Sequence, residues 1–168
     1  MEQERVMSST GVFADQFSRI AEGDPWYGPN MEQVLANITT TDAAAHPIPD
    51  AHSIWEITLH LTAWVREVRR RLALGIWQIP EDGDWPTPDP VGPANWTAAV
   101  NTLIEAHAEL VAELSRFSES RMDELVGGIR DQAMGSGQTY RQVLHGLLQH
   151  DAYHLGQISL IKKALGRG

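Results

Sequence analysis

Residues 139–165, TYRQVLHGLLQHDAYHLGQISLIKKAL, repeat apolar side chains at steps of three and four. Val143, Leu147, His150, His154, Ile158, Ile161 and Leu165 follow the period of an amphipathic helix with one buried stripe. Thr139 and Gln142 form a capping box that opens the helix, and Lys162, Lys163 and Gly166 supply the closing signals. His150 and His154 stand four residues apart on that stripe, so both imidazoles point into the core one turn apart. Two readings follow. Histidines on an apolar stripe serve as hydrogen-bonded core residues, or, with a third inward ligand, they share a divalent metal.

The third ligand comes from a second helix. Ser53 and Glu56 form another capping signature, and Ile57, Leu61, Trp64, Val65, Val68 and Leu72 carry a stripe as far as Gly75. His60 lies on this stripe, three residues after Ile57 and four before Trp64, and faces the interior that receives His150 and His154. Glu56 is assigned to capping in preference to orienting a ligand, and His52 to the exposed edge of the helix. The cluster Arg66, Arg69, Arg70 and Arg71 reads as a solvated helix face.

Outside these two helices, a first helix is predicted from Val6 or Ser9 to Glu22, with Phe13, Phe17 and Ile20 inward and Gly23 as its stop. The turn-rich GDPWYGPN of residues 23–30 follows, where Trp26 and Tyr27 are expected to anchor the loop to the body. Asn30 and Gln33 cap a short helix with Met31, Val34, Leu35 and Ile38 inward, and Pro47 and Pro49 break the chain beyond it. Residues 75–93 contain five prolines and four acidic residues and form a long connection, with Trp77 and Trp85 as candidate plugs at one mouth of the core. A helix from Asn95 to Phe117 places His107 on its buried stripe, where it is expected to pack or to support the site, since three histidines already complete a catalytic-type ligand set. Residues 118–137 read as a second irregular connection. The expectation is an all-α chain: a four-helix bundle with a short extra helix and long crossing connections, in one domain spanning residues 1–168.

Composition narrows the chemistry. The 168 residues include no cysteine, which excludes disulfides, thiolate ligands and a cysteine nucleophile. A formal net charge of −9 opposes binding to nucleic acid. There is no Gly-rich phosphate loop and no GxSxG elbow. No apolar run is long enough to span a membrane, and the opening MEQERVMSS lacks the pattern of a signal peptide, so a cytoplasmic address is expected.

The segments GDPWYGPN, HSIWEITLHLTAW (residues 52–64) and GLLQHDAYHLGQISLIKKAL (residues 146–165) together resemble the DinB-like (DinB/YfiT-type) superfamily, over nearly the whole chain. The pattern H-x-x-Y-H-x-G-Q-I, from His150 to Ile158, is the most specific part. The resemblance implies a bundle with non-sequential helix order, a homodimer, and a divalent metal held by His60, His150 and His154. Relatives include transferases and isomerases dependent on bacillithiol or mycothiol, and proteins that look like metal-dependent hydrolases.

A metal on three neutral imidazoles keeps its full charge and would lower the pKa of a bound water to about 7. The same Lewis acid could carry an external thiol as thiolate. The expected function is therefore that of a hydrolase or a thiol transferase acting on a small-molecule substrate, with a low-molecular-weight thiol as a candidate partner. A metal-binding stress-response protein without turnover is the alternative. Three imidazoles suit zinc, nickel, copper or iron, with zinc or nickel foremost. Gln157 lies near the site and is a candidate hydrogen-bonding group, whereas Asp151 and Tyr153 project obliquely and read as packing, capping or contact residues.

Overall fold

The computed structural model describes residues 7–127 and 137–167. Six α-helices follow in order: α1 (Ser9–Ala21), α2 (Met31–Leu35), α3 (Thr40–Ala44), α4 (Ile54–Leu74), α5 (Pro93–Arg116) and α6 (Tyr140–Ala164). Among the described residues there is no strand, only an isolated bridge between Leu125 and Thr139. None of the described helices is long and apolar enough to cross a membrane.

Local chemistry sets the helix ends. Asn30, Ser53 and Thr139 each accept from the backbone of the residue three ahead, which answers with its own side chain, completing the boxes expected for α2, α4 and α6. Such a cap is worth about 1 kcal/mol. Gly75 ends α4 with φ of +66°, a left-handed conformation that glycine adopts without strain. At the start of α1, Glu119 accepts from the backbone nitrogens of Ser9 and Thr10 at 3.1 and 3.0 Å. This carboxylate faces the positive end of the helix dipole.

Several boundaries differ from expectation. The alternative start of α1 at Val6, and residues 128–136 of the second connection, lie outside the described residues. A second short helix, α3, was not anticipated, although Thr39 and Asp42 form a capping box of the same type. The helix opened by Asn30 stops at Leu35, so Ile38 is buried from an irregular segment. α5 opens at Pro93, with proline in the first turn where its missing N–H costs nothing. Trp26 does not anchor its loop: it is fully exposed, and the neighbouring Pro25 is buried instead.

The four long helices share one interior: α4 packs on α5 and α6, and α1 packs on the same two. α4 and α6 run antiparallel, since His60 meets His150 at one level and Gly75 approaches Tyr140 at another. Two apolar clusters fill the interior. One holds Ile57, Leu61, Leu103, Leu155 and Ile158, and the other holds Val65, Val68, Ala106, Leu110 and Leu147. The inward histidines of α4, α5 and α6 occupy the level where one cluster gives way to the other.

Candidate metal centre

His60 on α4 and His150 and His154 on α6 present ligand atoms within 4.8 Å of one another, so the structure brings together the three histidines read from the stripes. His60 and His154 are buried, and the His150 side chain is about one quarter exposed, at 26%. The outer nitrogen of each ring determines what the inner one can do. His60 Nδ1 lies 2.5 Å from the carbonyl oxygen of Asp84, which only accepts, so that nitrogen carries the proton. His154 Nδ1 donates to Gln157 Oε1 at 2.6 Å. Gln157 therefore orients the His154 ring, and it is not among the residues lining the neighbouring cavity. His150 Nδ1 is buried without a hydrogen bond and faces Asp151 Oδ1 at 3.8 Å, an oxygen equally buried and unpartnered.

The protons of His60 and His154 sit on Nδ1, and with the His150 proton also on Nδ1, toward Asp151, three Nε2 lone pairs would face one another. His60 Nε2 and His150 Nε2 stand only 2.8 Å apart, a separation at which two lone pairs repel unless a proton or a cation lies between them. The donor set thus fits a divalent ion: neutral imidazoles, inward Nε2 atoms, and outer nitrogens anchored or aimed at acceptors.

Asp151 was expected to project obliquely. It is instead fully buried, accepting from His107 Nε2 at 3.1 Å through one oxygen and facing His150 with the other. His107 also lies against the Leu103 carbonyl at 3.0 Å and stands outside the ligand cluster. The sequence did carry a signal for Asp151, an acidic residue within the apolar run of Leu144, Leu147, Leu155 and Ile158. Replacing Asp151 with Asn keeps the shape and removes the charge facing His150. We expect ion affinity to fall by roughly 10- to 100-fold with folding retained. Competition with a chromogenic chelator measures this, and an unchanged affinity would show that the carboxylate does not support His150.

The long connection supplies the rest. Asp84 Oδ1 accepts from Trp64 Nε1 at 2.7 Å, which holds the loop against α4. Trp85 stacks on His60 at 3.9 Å between ring centroids and on His52 at 3.6 Å, so the indole is sandwiched between two imidazoles. Trp85 thus takes the covering role expected of it. Trp77 instead lies under the Arg71 guanidinium, 3.9 Å from Cζ to ring centroid. Glu56 accepts from Ser53 and from His46 Nε2, which leaves it in the capping role. Asp84 has no comparable sequence signal, because its contact to His60 is made by a backbone carbonyl.

A cavity of about 500 Å³ opens beside the histidines and extends between α4 and α6 past Trp64, Val68 and Leu147 to Arg71 and Gln142. Arg71 departs from the solvated face assigned to its cluster. It is 4% exposed, with Nε 2.9 Å from Glu67 Oε1 and Nη2 donating to the Gln78 carbonyl at 2.7 Å.

Burial, reinforced by the neighbouring His150, lowers the pKa of His154 to about 4, and burial also lowers that of His60. As pH falls below about 6.5, the unfolded chain protonates these two rings while the folded chain resists, so stability present above that pH is lost toward pH 4. His107 acts in the opposite sense: burial opposes its charge, but Asp151 outweighs burial and raises its pKa. Its contribution is present below the unfolded value and fades as pH rises through the folded one. With two rings against one, metal-free protein should melt at progressively lower temperature from pH 7 to pH 4.5. A flat profile would contradict the depressed values.

A chain whose described residues form helices and no strand, with three convergent imidazoles beside a cavity, belongs to the class of helical proteins that could hold a metal ion. The DinB superfamily model matches residues 28–158, and the chain belongs to that superfamily. The match contains His60, His150 and His154. Comparison with curated proteins and with solved structures returned no match.

Proposed function

We propose that this chain is a metal-dependent enzyme of the DinB superfamily, its four long helices forming the family's bundle and His60, His150 and His154 holding one divalent ion, zinc or nickel. The observation that carries the reading is the set of three imidazole nitrogens within 4.8 Å of one another, beside a cavity large enough for a small molecule. A divalent ion held there supplies Lewis acidity at neutral pH, suited to hydrolysis or to transfer of an external thiol. The thiol must come from outside, because the chain has no cysteine.

The protein's own groups prepare the site. The Asp84 carbonyl and Gln157 hold protons on the outer nitrogens of His60 and His154, which keeps the inner nitrogens basic. Trp85 covers one face of His60 and limits water on that side. Trp64, Val68 and Leu147 offer apolar wall to a substrate.

The test is a panel run on metal-loaded and metal-stripped protein, pairing hydrolase substrates with electrophiles offered with and without low-molecular-weight thiols. Turnover restored by metal and requiring thiol supports transfer, and turnover restored by metal without thiol supports hydrolysis. Silence across the panel at full metal occupancy would favour a metal-binding protein without turnover.

A further inference from the structure

The far end of the cavity holds a charge that the histidine site does not use. Glu67 is fully buried and shared by two guanidinium groups: Oε1 accepts from Arg71, and Oε2 accepts from Arg70 Nε and Nη2 at 3.0 and 2.6 Å. One carboxylate against two guanidiniums leaves one positive charge uncompensated. Arg70 reaches solvent, whereas the Arg71 side chain is 95% buried, being only 5% exposed, and lines the cavity. Arg71 Nε and Nη2 are occupied, and Nη1 donates to no acceptor among the described residues. The guanidinium is held in place by the Trp77 ring below it and the link back to Glu67.

The opposite end has the opposite character. Asp84 stands beside the His60 ring, so an anionic group entering there meets a carboxylate. Between the two ends the wall is Trp64, Val68 and Leu147. Arg71 Cζ is 5.6 Å from the Trp64 ring, which is 6.2 Å from the His150 ring, so no more than about 12 Å separates guanidinium from imidazole. That span suits a ligand of a few carbon–carbon bonds or one aromatic ring.

Building on the metal-enzyme reading above, we infer that Arg71 is a substrate-recognising residue, and that the substrate is an apolar or aromatic carboxylic acid whose carboxylate pairs with Arg71 while its reacting group lies at the three histidines. A single guanidinium edge suits a monoanion. A phosphate dianion would call for a second cation, and among the described residues that line the cavity Arg71 is the only Lys or Arg. Gln142 contributes a neutral donor nearby, because its Oε1 is committed to the cap of α6 and its amide nitrogen is not.

The experiment compares 3-phenylpropionate with 3-phenylpropionamide by titration calorimetry on the full chain, metal-loaded and metal-stripped. The parent should bind the acid at least about tenfold tighter than the amide in both metal states, since a charge-assisted pair to a buried guanidinium is lost with the amide. Arg71→Ala alone would leave the buried Glu67 Oε1 without its donor, so the informative variant is Glu67→Gln/Arg71→Met, which removes both charges together. With folding checked by circular dichroism and metal content by elemental analysis, this variant should bind acid and amide alike. Equal binding of acid and amide by the parent would overturn the inference. So would a preference that survives in the double variant or disappears when metal is stripped, because the carboxylate would then sit on the ion. A parent that never binds metal yet prefers the acid through Arg71 would leave the carboxylate site standing and remove the metal-enzyme reading.

Discussion

His60→Ala, His150→Ala and His154→Ala are each expected to emerge from mild purification with almost no bound metal, against close to one divalent ion per chain for the parent. Each substitution removes one of the three imidazoles proposed to hold the ion, and a divalent ion left with two would lose both charge donation and geometry. Elemental analysis of the four proteins side by side decides the matter. His107→Gln is the control: its ring contacts Asp151 and the Leu103 carbonyl and offers no atom to the cluster, so metal should stay bound. Full metal content in His150→Ala or His154→Ala would remove the metal centre. Loss in His107→Gln with retention in His60→Ala would mean that α5, and not α4, supplies the third ligand.

The second large effect is on stability. Arg71→Ala should cost about 1.5–3 kcal/mol, because the buried Glu67 keeps its pairing with Arg70 through Oε2 but its Oε1 loses the charged donor that satisfied it. Urea unfolding measures the loss as a shift in midpoint at constant slope. Glu67→Gln/Arg71→Met should recover most of it, since it leaves no charge buried and Arg70 can turn to solvent. A loss below about 1 kcal/mol in Arg71→Ala would mean that Arg70 or water takes over from Arg71 at Glu67.

The helices were legible because their causes are local. Ser53 with Glu56 and Thr139 with Gln142 bond across a single turn, and the stripe from Val143 to Ile161 follows from 3.6 residues per turn whatever packs against it. The same periodicity turned His60, His150 and His154 inward. α3 escaped notice although Thr39 and Asp42 form the same capping box, because a five-residue helix is too short to show a stripe.

The rest depended on the partners that the fold brings into contact. Arg71 adjoins three other arginines in sequence order, and only the return of the long connection, which lays Trp77 and Gln78 over it, takes it out of water. Asp84 and Trp85 sit in a segment with no period, so nothing local says that one will hold the His60 ring through a carbonyl and the other will stack on it. Asp151 differs again: its place on α6 was readable, but its role rests on His107, 44 positions away and across a helix interface. By itself the sequence determined where the long helices run and which of their stripes face inward, since both follow from spacing along the chain. Only the tertiary structure decided which inward groups share a proton, a charge or a cavity wall, since those depend on distances between segments that the backbone joins only through long connections.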